Sequence, residues 1–224
     1  MRTLLILLAA LALGACNEVY SRTPLLPEAF HQGDPQLRPG LWQFGDGGSY
    51  NCPFNIRQPV ARWPDCAMGF DYEDGQFWAV SPRRERTLAF KIRLAAGEPI
   101  LVQTHWSLDA LKDPRMPEPP NADNPFFGWT YTGLTVVRTD AADRIMEARM
   151  VEAQCGPLPA NGAASPTAPG TPLQRANVTD HPFPGLKLVG GNCVAEDLDT
   201  VKDAIRLSAA LGEPQTIRWV RDRP

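Results

Sequence analysis

Between Ala67 and Ala153 one pattern recurs: short stretches alternate apolar and polar residues, broken by turn-forming clusters. Successive side chains of a strand point to opposite faces, so a period of two marks a sheet with one face toward a core. Residues 87–93 are the clearest case, with Leu88, Phe90 and Ile92 on one face and Thr87, Lys91 and Arg93 on the other. Residues 67–71 and 76–81 flank Glu73-Asp74-Gly75, where Asp-Gly readily takes the positive φ of a tight hairpin. Ala95-Ala96-Gly97-Glu98 turns the chain into residues 100–106, with Ile100, Val102, Thr104 and Trp106 on one face. Residues 127–138 align Phe127, Trp129, Tyr131 and Val137, and residues 139–143 turn into a strand over 144–153. Strands joined by short turns pair antiparallel, because a parallel return needs a long crossover. The pattern predicts an antiparallel meander, as an open sheet or a partial barrel.

One helix is expected, over residues 199–211. Val201, Ala204, Ile205 and Leu211 fall on one stripe, while Lys202, Asp203 and Arg206 face away. Asp199 suits its N-cap, and Gly212 with Pro214 ends it. A final strand over 215–221 places Ile217 and Trp219 together. The fold class is therefore α+β, mainly β. The 23 prolines would obstruct such a sheet if they were spread through it. They gather instead in residues 17–38, in residues 112–125 and in residues 156–185. The last of these is rich in Pro, Gly, Ala, Ser and Thr and reads as a disordered loop.

The N-terminus carries a different signal. Met1-Arg2-Thr3 is followed by an unbroken apolar run from Leu4 to Leu13. Ten residues of helix reach roughly 15 Å, half a bilayer core, so the run suits a secretory signal rather than a membrane span. Leu13-Gly14-Ala15-Cys16 follows: an aliphatic residue, two small residues, then cysteine. This resembles the lipobox of bacterial lipoproteins. The resemblance implies cleavage after a signal peptide of residues 1–15, diacylation of the Cys16 thiol and acylation of its amine. It also implies an envelope location, with the membrane as partner through the lipid. In enteric lipoproteins an Asp after the cysteine retains the protein in the inner membrane. Asn17 stands there, which points to the outer membrane, facing the periplasm. Residues 16–38, with three X-Pro steps and no sustained period, read as a flexible lipidated tether, and residues 39–224 as a single β-rich domain.

Four cysteines remain beyond Cys16. An even number in an exported chain suggests two disulfides, with three connectivities open. We favour Cys52–Cys66 and Cys155–Cys193, each bracketing a turn-rich segment. A metal site would need closer spacing, since none of these cysteines forms a Cys-x-x-Cys pair.

Chemistry is sparsely signalled. His31, His105 and His181 fall in the tether, a strand and a loop, and no phosphate loop, Gly-x-Ser-x-Gly or His-Glu-x-x-His is present. Gly45-Asp46-Gly47-Gly48-Ser49 lacks the lysine of a phosphate cradle and reads as a turn. His105, Ser107 and Asp109 would share a face if the strand ran on past Trp106, but residues two apart stand roughly 7 Å from each other, too far for a relay. Asp71, Glu73 and Asp74 crowd a turn without the spacing of a calcium loop. The six tryptophans, Trp42, Trp63, Trp78, Trp106, Trp129 and Trp219, are core residues by default and could line a cavity in a barrel. With a net charge of −3, a nucleic-acid partner is not indicated. We expect no catalytic residues, no metal and no cofactor. The whole pattern resembles uncharacterised envelope lipoproteins of proteobacteria, a group with no assigned activity. The leading expectation is a non-enzymatic binding or assembly protein, with other envelope proteins as candidate partners. An envelope hydrolase and a small-ligand or lipid carrier are the alternatives.

Overall fold

A computed structural model describes residues 17–27, 33–45, 52–82, 84–106, 128–157, 179, 181–189 and 192–223. Among these residues eleven strands and one α-helix are formed: β1 (Val19–Ser21), β2 (Gly40–Phe44), β3 (Gly69–Glu73), β4 (Gln76–Ser81), β5 (Arg84–Ala95), β6 (Ile100–Trp106), β7 (Trp129–Thr139), β8 (Ile145–Glu152), β9 (Lys187–Val189), β10 (Asn192–Val194), α1 (Leu198–Ser208) and β11 (Gln215–Arg221).

The meander closes on itself. Strands β2 to β8 pair in sequence, β8 pairs with β11, and β11 returns to β2, all antiparallel. The result is an eight-stranded up-and-down barrel, β2-β3-β4-β5-β6-β7-β8-β11. Alternation decides what fills it. Trp42, Tyr72, Phe77, Phe90, Ile92, Leu94, Val102, Leu134, Ala148 and Ile217 form the buried inner cluster, with Phe44 and Phe70 packed on it. Phe44 meets Phe70 and Phe77 edge-on, at centroid distances of 5.3 and 5.5 Å, and Phe77 lies 4.9 Å from Phe90. Full burial of each such ring is worth about 2–3 kcal/mol, so these aromatics form a solid core.

The outer face has two covers. The segment closed by the Cys52–Cys66 disulfide packs Phe54, Ile56, Val60 and Trp63 against Leu41 and Val80. On the far side α1 presses Val201, Ala204 and Ile205 toward Leu101 and Tyr131, and the Cys155–Cys193 disulfide joins the same cluster. Both disulfides pair as the sequence layout suggests.

The helix starts slightly earlier than expected. Its cap is Asp197, whose carboxylate accepts the Thr200 amide at 2.7 Å, rather than Asp199. Ser208 takes the last buried position, accepting from the Gln154 amide, while Leu211 lies past the helix end and is exposed.

The expected flexible tether over 16–38 is corrected for its described residues, 17–27 and 33–38. Val19 and Leu26 are buried, and β1 is built into the sheet, antiparallel to β7 and parallel to β10. Buried polar side chains fasten β1 and the backbone that follows it. Gln103 Oε1 accepts from the Leu25 and Leu26 amides, each at 2.8 Å, and the Ser21 and Tyr131 hydroxyls bond each other. Asn17 is fixed as well: its carbonyl accepts the Cys155 amide at 2.6 Å and its side chain donates to the Gly156 carbonyl at 3.0 Å. Leu37 enters the barrel core and pairs with Ile145, so the folded unit begins well before residue 39. The expected disordered loop is anchored at its ends, where the Phe183 amide donates to the Cys155 carbonyl and Thr179 is buried. Residues 158–178 between those ends lie outside the described residues, as do 46–51, 107–127 and the segment through Cys16. No helix among the described residues is long and apolar enough to cross a membrane.

Candidate functional site

Where β2 begins and β11 ends, an open cleft of about 400 Å³ lies at one end of the barrel, lined by Arg57, Arg138, Met146, Trp219, Val220 and Arg221. Barrel ends are common ligand sites because the closing strands stop there and leave side chains unpaired. The local backbone explains the shape. Gly40 holds φ at +125°, and a Cβ there would stand 2.4 Å from the Arg221 carbonyl and 2.8 Å from Trp219 Nε1. Only glycine lets the chain enter β2 so tightly against Trp219. Register shifts between Trp219 and Arg221 in β11, and between Val136 and Arg138 in β7, turn the strand ends at this rim.

Trp219 forms one wall, its Nε1 donating to the Pro39 carbonyl at 2.9 Å. The Arg38 guanidinium stacks over its ring, 3.8 Å from the centroid. Arg38 and Arg138 both approach the Met146 sulfur, at 3.9 and 3.8 Å. Arg138 reaches Glu147 only at 3.6 Å, and Arg38 pairs with the exposed Asp222 at 3.2 Å. Arg221 donates through Nη2 to the Gln58 carbonyl at 3.1 Å, from the segment held by the first disulfide. The Nε atoms of Arg38 and Arg221 are buried without a hydrogen-bond partner. Four guanidinium groups thus gather around an apolar floor, opposed by two carboxylates. None of the residues lining the cleft is a nucleophile or a general acid or base.

A second charged group lies around the β3–β4 hairpin. Asp71, nearly fully buried, pairs with Arg86 at 2.8 Å and Arg223 at 3.5 Å, and Glu73 pairs with the same two arginines. Burial pushes the Asp71 carboxyl up against the pull of both arginines, while the hydrogen bond from Arg223 leads in holding Glu73 down. Arg86 also lies over Trp78, 4.6 Å from the ring. The crowded carboxylates are held by cations from β5 and the C-terminal end, as an ion-pair network that fastens strand ends together. Asp74 takes φ +47° and Gly75 +76° at the hairpin expected from the sequence.

The other candidates disperse. His105 stacks on Trp129 with centroids 4.9 Å apart, and burial, aided by Lys91, lowers its pKa. Ser107, Asp109 and His31 lie outside the described residues, as does Cys16. Trp42 and Trp63 are core residues, as expected, whereas Trp219 belongs to the cleft. Sequence reasoning missed the four arginines because they come from the approach to β2, the disulfide segment, β7 and β11, and no spacing links them. No protein family, curated protein or solved structure matches the chain.

Proposed function

We propose that the protein is a lipid-anchored envelope protein, facing the periplasm from the outer membrane, with a non-enzymatic binding role. The observation that carries the binding role is the cleft at the barrel end, which offers cations, an aromatic wall and an apolar floor but no group suited to bond-breaking chemistry. The lipobox at Leu13–Cys16 supports the anchor. With Asn17 fixed to Cys155 and Gly156, a lipid on Cys16 would hold the folded unit close to the membrane. A carrier with an internal cavity is less well supported, since aromatic side chains occupy the barrel interior.

The test joins fractionation and capture. Cys16→Ala should move the protein out of the membrane fraction, and persistence in that fraction would refute the anchor. Intact protein used as bait on envelope extract should enrich a defined partner or ligand over a control lipoprotein. Equal recovery from bait and control would remove the binding role.

A further inference from the structure

We propose that the cleft at the barrel end is a phosphate site, taking a ligand that carries a phosphomonoester on a compact apolar or ring-shaped body. The inference rests on the reading of this cleft as a binding site and names its ligand chemistry. The chain as a whole carries a net charge of −3, yet Arg57, Arg138 and Arg221 line this cleft and Arg38 stacks on its Trp219 wall, paired among the described residues with only Glu147 and Asp222. Arg57 has no acidic partner among the described residues, and Arg138 has only the long contact to Glu147. Both are exposed, so their guanidinium groups are accessible to an anion in the cleft.

Beside the cleft, the Nε–H groups of Arg38 and Arg221 are buried without an acceptor, a cost on the order of 1–3 kcal/mol each at which these arginines are held in place. Guanidinium forks match the oxygens of phosphate and carboxylate alike. The arrangement selects between the two. The arginines arrive from four separate parts of the chain rather than as one fork on a single strand. A planar carboxylate offers two oxygens along one edge, whereas a phosphomonoester offers three in a pyramid and nearly two negative charges. Trp219, Met146 and Val220 give the uncharged body of the ligand an apolar surface, and the cleft volume of about 400 Å³ suits a small organic ester. A nucleic acid would need a basic surface well beyond this cleft.

Two sources share this chemistry: a soluble phosphate ester and the headgroup of a lipid. Calorimetry on the full-length protein in detergent separates them, with inorganic phosphate, glycerol phosphate, dihexanoyl phosphatidic acid and acetate as probes. Phosphate should bind well above acetate, and Arg57→Gln and Arg138→Gln should each weaken it about ten-fold or more with little change in Tm. Tighter binding of glycerol phosphate identifies a soluble ester, and tighter binding of the short-chain lipid identifies a headgroup; either supports the site. Both arginines are partly or fully exposed, so at least one variant should fold. Acetate binding as well as phosphate, or both variants binding phosphate as the parent does, would overturn the assignment. Fractionation of Cys16→Ala reads the anchor alone, so a failed phosphate site and a failed anchor give different results.

Discussion

Glu18 is a carboxyl whose charge the fold opposes. It bridges Gln154 beside Glu152, and burial, then repulsion from Glu152, push its carboxyl up to about 7 from an ordinary 4.5. Burial raises Glu152 as well. Between those two pH values the folded state holds a proton that the unfolded chain has released. Stability is therefore fully present below about pH 4.5 and declines as pH rises through about 7. Asp140 runs the other way, held at about 2 by the hydrogen bond from Arg144, but its effect lies below pH 4. Glu18→Gln keeps the size and removes the titration. We expect its Tm to match the parent at pH 5 and to exceed it by several degrees at pH 8, an effect of at most about 3 kcal/mol. Parallel melting curves for both proteins across that range would show that another group carries the pH dependence.

At the level of elements, one glycine sets how α1 meets the barrel. A Cβ on Gly133 in β7 would stand 2.6 Å from Ile205 Cγ2 and 2.8 Å from Pro99 Cγ. Ile205 is fully buried and Pro99 precedes β6, so neither can retreat freely. Gly133→Ala should lift the helix and cost about 1–3 kcal/mol in a urea titration; an unchanged midpoint would mean that the helix can shift without loss. The sequence made the regular elements plain. Strand β11 matches its expected bounds because alternation and the Gly212 and Pro214 breakers define it locally. The helix stripe was equally plain through Val201, Ala204 and Ile205, although the cap was misplaced, since Asp197 and Asp199 are both suitable and only the Thr200 geometry chooses between them. Strand β1 was hidden, because three residues carry no period and their backbone partners, Ala153 and Ala195, are distant in sequence. The same distance concealed the cleft: Arg38, Arg57, Arg138 and Arg221 look like ordinary surface charges until the barrel closes.

For the molecule as a whole, the two disulfides do different work. Cys52–Cys66 pins a segment onto the outside of β2 and β4, including the Gln58 carbonyl that receives Arg221. Cys155–Cys193 ties the exit of β8 to β10, and so joins the β1–β10–β9 layer to the barrel. Its separation of 38 residues predicts a loss of about 4 kcal/mol for the double variant Cys155→Ala, Cys193→Ala, in the chain-entropy account. Guanidinium unfolding checks this, and a loss below about 1 kcal/mol would mean that the layer is held by packing alone. The closed ring has a consequence for the order of synthesis. Strand β11 pairs with both β2 and β8, so residues 215–221 must be present before either neighbour is complete. Until then a growing chain carries two open strand edges, each able to pair with another chain. Ring closure across such sequence distance is slow compared with hairpin formation. A truncated or stalled chain is therefore an adhesive sheet rather than a smaller barrel, and any helper that shields those edges acts before the last strand arrives.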